Sequence, residues 1–317
     1  MKEFARLTKV LLLFVISLIA FQATADPISE IESVLQLGPC LQCASEAWQS
    51  LPEPLRSNDG IRIDIVSLFC GYPTYCVGLS VNDHQELFVV MKNGVRILYD
   101  DRKTKSFEER LENPDLEDML ALPYEPGKAS RHVPIEHDPG RFRVDRFLKA
   151  VYGESEGQVR SHLVPVRFLS ESPKFTTANG ASEALRRVGE ELQGVLKKKP
   201  GISKYVLPLS GTFNWRPIAG TARLSPHAYA ICIDLNSIQG AYWRWPKKGD
   251  DPTRLRDGYP TEIVDIFERH GFIWGGKWGH YDLMHFEYRP ELLIKSRILK
   301  ALRPHDLQDG AVKARDE

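Results

Sequence analysis

Two short stretches of the chain hold residues that can bind a metal and move a proton. The first starts at Ser225-Pro226-His227 and ends at Asp234, seven residues after the histidine. The second holds His280, Asp282, His285 and Glu287 within eight residues. Two imidazoles and a carboxylate are a usual ligand set for catalytic zinc, with the fourth position left to water. His227, Asp234 and His285 are therefore the candidate ligands for one Zn2+ per chain. Taken singly, each has an ordinary structural reading: a loop histidine, a strand-end aspartate and a buried histidine. Joint placement is what would make them a site.

Geometry restricts that placement. Seven extended residues from His227 to Asp234 span roughly 23 Å, whereas ligand atoms lie about 2 Å from one zinc. The chain must turn back, with His227 in a loop and Asp234 at the end of a strand. In the second stretch, alternation puts His285, Glu287 and Arg289 on one strand face. Met284, Phe286 and Tyr288 take the other, which should face the core. Asp282 precedes the strand, three residues before His285. From there it reaches a water on the metal without being a ligand, which is the position of a general base; its ordinary reading is a turn aspartate.

In these residues the sequence resembles the M15 zinc peptidases of the bacterial cell wall, within the Hedgehog/D-Ala-D-Ala peptidase fold group. Ser225-x-His227, a small-residue strand, Asp234, and an acid (Asp282) three before His285 carry the resemblance. An aspartate as that acid, followed by Met284-His285-Phe286-Glu287, is similar to the branch of L-alanyl-D-glutamate peptidases and phage endolysins. Residues 211–216 with 218–221 look like the substrate-side segment of exported bacterial members. The resemblance is strong over residues 205–290, and none is claimed upstream of the linker over 123–140. One departure is Ala230 and Cys232 where the family usually has Gly and Ala; Cys232 is expected to point into the core.

The resemblance implies hydrolysis of peptidoglycan stem peptides, by a D,D- or L,D-type carboxypeptidase or endopeptidase. Residue type and placement suggest further roles, against the ordinary readings of a loop hydroxyl for Ser225 and a surface arginine for Arg216. Ser225 hydrogen-bonds a ligand or the substrate; Arg216 holds a substrate carboxylate or the oxyanion; Glu287 orients His285. His280 is either a proton donor near the reacting amide or a solvated loop residue. Trp243, Trp245, Trp274 and Trp278 read as core and cleft wall. Two other functions remain open: a zinc peptidase or amidase acting on non-murein peptides, and a zinc-stabilised binding protein without catalysis. A poised Asp282 disfavours the second.

The elements that must position these groups give an α+β class. A small antiparallel sheet and flanking helices are expected over 141–303, following a small α+β unit over 26–122 and a Pro/Gly-rich linker over 123–140. Helical spacing appears in residues 28–37, 141–152, 181–198 (capped by Asn179, ended by Pro200) and 261–270 (closed by Gly271). Residues 103–119 are charged and partly helical. Strand signals are the alternation of Ile61, Ile63 and Ile65, a hairpin around Asn93-Gly94, and residues 205–209, 229–233 and 284–289. The tail over 304–317 is polar.

Lys2, Arg6 and Lys9, the apolar residues 10–21 and Ala23-Thr24-Ala25 have the layout of a secretory signal peptide over 1–25; an uncleaved anchor is the alternative. Export, with the periplasm as destination, implies an oxidising compartment, no membrane insertion after cleavage, and two disulfides among Cys40, Cys43, Cys70 and Cys76. Three pairings are possible, and a zinc knuckle or redox C-x-x-C is the competing reading. Cys232 reads as a buried thiol. The 317 residues carry 42 Lys+Arg against 42 Asp+Glu, 26% charged and 42% hydrophobic. That balance argues against a disordered chain and against a nucleic-acid partner held by phosphate neutralisation. The 26–122 unit is expected to dock on the catalytic part or guide it to the wall, and nothing in the residues sets an oligomeric state.

Overall fold

A computed structural model describes residues 38–302 except 247, with side chains from Gln42 onward, and the fold below is that of the unit 39–297. The signal-peptide, 28–37 helix and 304–317 tail expectations lie outside the described residues. Helices α1 (Gly38–Gln49), α2 (Glu53–Arg56) and α3 (Asp59–Gly71) precede a sheet of β1 (Cys76–Val81), β2 (Leu87–Met91) and β3 (Arg96–Leu98), antiparallel in that order. Asn93-Gly94 makes the expected hairpin turn, Gly94 taking φ 81°. Two short helices follow, α4 (Phe107–Glu112) and α5 (Leu116–Ala121). Each starts at a reciprocal cap, Ser106 with Glu109 and Asp115 with Asp118. Residues 122–144 contain turns and bends without helix or strand.

Next come α6 (Asp145–Tyr152), α7 (Glu156–Ser161), a ribbon of β4 (Leu163–Pro165) and β5 (Lys174–Thr176), α8 (Ala181–Lys198) and the single turn α9 (Ser203–Val206). The last part holds β6 (Cys232–Asp234), α10 (Pro252–Asp257), α11 (Thr261–Arg269), β7 (Phe272–Trp274), β8 (His285–Tyr288) and α12 (Pro290–Leu302). Their sheet has the order β6-β8-β7, antiparallel throughout. Asp234 pairs with His285 in its register, so two candidate ligands become neighbours by backbone pairing alone.

Helix α8 buries Ala181, Leu185, Val188 and Leu192, one stripe at helical spacing. The same core takes Ile263, Ile266 and Phe267 of α11 and Phe286 of β8. Phe267 and Phe286 stack at 4.0 Å. The inward face expected for Phe286 is thus correct, and the opposite face is closed as well: Glu287 and Arg289 are fully buried.

Several local expectations are corrected. Residues 61–65 are not a strand but the middle of α3, which Asn58 caps by accepting from Ile61 N at 3.1 Å. The helix is buried almost all round, so its apolar residues need no helical period. Asp64, the apparent outward residue, is itself buried between Tyr99 Oη (2.9 Å) and Lys295 Nζ (2.5 Å). Residues 205–209 hold the end of α9 rather than a strand; Asn236 Nδ2 donates to the Lys204 and Leu207 carbonyls, 2.8 Å each, which satisfies that turn. The 229–233 strand starts only at Cys232. Gly180, not Asn179, stands at the N-cap of α8; Asn179 Nδ2 donates instead to Gly71 O at 2.9 Å.

The expected disulfides are not seen among the described residues. Cys43 is exposed, Cys70 half-buried and Cys76 buried, none of them in a disulfide, and the Cys40 side chain lies outside the described residues. Burial, then the charge of Glu291, pushes the Cys76 thiol far up, so it behaves as an apolar core group at the base of β1.

Candidate metal centre

Ser225 opens a short 3-10 turn, Pro226–Tyr229, its Oγ accepting from His227 N at 3.3 Å. That contact fixes the backbone of His227 rather than its ring. Ala230 then adopts the left-handed conformation (φ 54°) and turns the chain back into β6, the reversal that the spacing to Asp234 requires. His227 Nδ1 lies 2.6 Å from Thr212 O. A carbonyl only accepts, so Nδ1 carries the hydrogen and Nε2 keeps its lone pair.

That Nε2 lies 3.3 Å from Asp234 Oδ2, and His285 Nδ1 lies 2.8 Å from Asp234 Oδ1. Two donors on one tetrahedral zinc stand about 3.3 Å apart. Asp234 thus lies within that range of both imidazoles, and the three side chains whose donor atoms all lie within 4.8 Å of one another are His227, Cys232 and His285. Burial opposes ionisation of Asp234, but the two histidines beside it hold the carboxyl well below the usual range.

Asp282 lies in the loop before β8, pinned by its own N–H to Gly275 O at 3.0 Å. Its Oδ1 is buried and has no hydrogen-bond partner among the described residues. Burial pushes the carboxyl up to about 6, with Asp234 adding and His285 opposing. The loop is held in place by close approaches that only glycine permits. A Cβ at Gly279 would meet Pro134 O at 2.1 Å, and one at Gly276 would meet the Trp274 ring at 2.2 Å.

A cleft of about 340 Å3 joins these groups, with His227, Asp234, Asp282 and His285 on its walls. Ser225, His280 and Arg216 line it too. Arg216 is exposed at the rim, its Nη1 only 3.4 Å from the neighbouring Pro217 O. Glu287 lies behind His285, Oε2 to Nε2 3.7 Å, and is held by Arg143 Nε at 2.8 Å. Trp243, Trp245 and Trp278 form cleft wall, and Trp274 is core.

Cys232 does not point away from this site. Its thiol lies with the His227 and His285 nitrogens, all within 4.8 Å of one another, and burial, then Glu287, pushes it up to about 12. Cys232 and Asp234 are two apart on β6 and share a face, which explains the placement. Arg141, Arg143, Tyr242 and Arg244 also line the cleft and were not among the expected residues. No spacing rule ties the two upstream arginines to the motif; Tyr242 and Arg244 had only proximity to Trp243 as a signal.

A family model described as D-alanyl-D-alanine carboxypeptidase matches residues 219–288. The match includes His227, Asp234, Asp282 and His285 and the whole β6-β8-β7 sheet, and it supports a peptidase of the M15 family. Arg216 falls just outside it. Comparison with curated proteins and with solved structures gave no match. Among the described residues no helix is long and apolar enough to cross a membrane.

Proposed function

We propose that this chain is an exported zinc metallopeptidase that cuts peptide bonds in peptidoglycan stem peptides. The observation that carries the reading is Asp282: a buried carboxylate oxygen without a protein partner, opening on a cleft where two imidazoles and a second carboxylate converge. A binding protein stabilised by metal has no use for such a group, and an unpaired buried carboxylate costs stability.

His227 Nε2, Asp234 and His285 Nδ1 would hold the zinc. When bound there, zinc supplies Lewis acidity toward a carbonyl and brings the pKa of water from near 16 to about 7. Asp282 takes the proton of the attacking water. It hands that proton to the amine nitrogen as the C–N bond breaks, so the carboxylate is restored. A carboxyl raised to about 6 suits both transfers near neutral pH. Thr212 O keeps the His227 ring turned, and Glu287 backs His285. Arg216 at the rim meets a substrate carboxylate.

The test is a digest of purified sacculi with separation of the muropeptides, on protein whose bound metal has been measured. Shortened or uncrosslinked stem peptides, with about one zinc per chain, are expected. Intact stem peptides from zinc-loaded protein reject the murein substrate.

A further inference from the structure

Asp138 lies in the irregular stretch before α6, far upstream of the matched segment, and is fully buried. Its Oδ2 is 2.7 Å from His280 Nδ1, and its Oδ1 accepts from His280 N at 3.0 Å. Arg141 Nη1 donates to the same carboxylate at 2.6 Å. Because that carboxylate is held by a guanidinium, it accepts and does not donate, so His280 Nδ1 carries the hydrogen.

The ring is also fixed by its neighbours. Phe107 of α4 stacks on it at 5.5 Å (22° between planes), and Trp243 meets it edge-on at 4.4 Å. Three separate pieces of chain thus hold one imidazole at the cleft wall. Its Nε2 has no protein partner among the described residues, and in the neutral ring it is an acceptor. A solvated loop histidine needs none of this support.

We propose that His280 contacts the substrate, accepting a hydrogen bond from a peptide N–H at Nε2, and that Asp138 and Phe107 are positioning residues that aim it. The proposal deepens the peptidase reading and rests on it. It also gives the chain upstream of the matched segment a part in the cleft.

The test uses the zinc-loaded full chain, His280→Ala, Asp138→Ala and the double variant. His280→Ala leaves the buried Asp138 paired with Arg141 and keeps the test alive if Asp138→Ala does not fold. Long-range proton–nitrogen spectra should show His280 protonated at Nδ1, and that state lost in Asp138→Ala. With stem peptide, each single variant should lose about 10²-fold in kcat/KM, the scale of a misplaced substrate. The double variant should lose no more than either, because the residues act as one unit. Bound zinc should be unchanged. An Nε2-protonated ring in the wild type, additive losses, or losses that follow lost zinc each overturn the proposal. An active wild type with a fully active His280→Ala overturns this contact alone; a wild type that leaves stem peptides intact overturns the peptidase reading and the contact with it.

Discussion

His285 and Glu287 stand two residues apart on β8, and their surroundings treat charge in opposite ways. Around His285 the polar groups face an open cleft, and Asp282 Oδ1 is buried without a partner among the described residues. Around Glu287 partners crowd in. Arg143 donates through Nε (2.8 Å) and Nη2 (2.5 Å), and Arg289 Nη1 approaches at 3.3 Å. Arg289 Nε goes on to Glu291 at 2.6 Å, which also accepts from Tyr72 Oη at 2.8 Å. Among the described residues a single buried nitrogen of that cluster, Arg289 Nη2, has no acceptor. Buried charges that hold the scaffold are cross-paired, because an unpaired one is costly. Groups meant for a ligand are left short of partners, and the rest of the fold compensates.

Experiments can break this contrast from either end. The largest effect is expected from removing the metal: a chelator should abolish hydrolysis and added zinc should restore it, whereas undiminished turnover in chelator would end the metallopeptidase reading. Asp282→Asn should lower kcat about 10²- to 10⁴-fold with zinc retained and no loss in the denaturation midpoint. A large fall in stability would mean that Asp282 belongs to the paired class after all. Glu287→Ala strands Arg143 and Arg289, and guanidinium unfolding should show a loss of about 3–5 kcal/mol.

Two smaller changes address the support of the open end. Gly279→Ala forces a Cβ against Pro134 O and Ile135 O, 2.1 and 2.4 Å away, and should cost about 1–3 kcal/mol in the same unfolding measurement. Ser106→Ala removes the cap of the helix that brings Phe107 to His280 and should cost about 1 kcal/mol. A neutral result there would show that α4 is held by packing alone.

The meeting of His227, Asp234, Asp282 and His285 on one cleft was legible because their order and spacing lie within one segment, and because strand pairing converts β6 and β8 into neighbours. The reversal between His227 and Asp234 followed from the span of seven extended residues once both were taken as ligands of one ion. Asp138 was not legible: it reaches His280 across 142 positions, from a stretch whose prolines and glycines read as connection. Residues 61–65 misled because alternation is a clue only where one face is wet, and α3 has hardly any wet face. Cys232 was misjudged although the parity of β6 already placed it beside Asp234.

The bond from His227 Nδ1 ends on a main-chain oxygen, that of Thr212. Residue identity at position 212 is thereby uncoupled from the tautomer of the imidazole. Any side chain at position 212 leaves that acceptor in place, and the imidazole keeps the same lone pair turned toward Asp234.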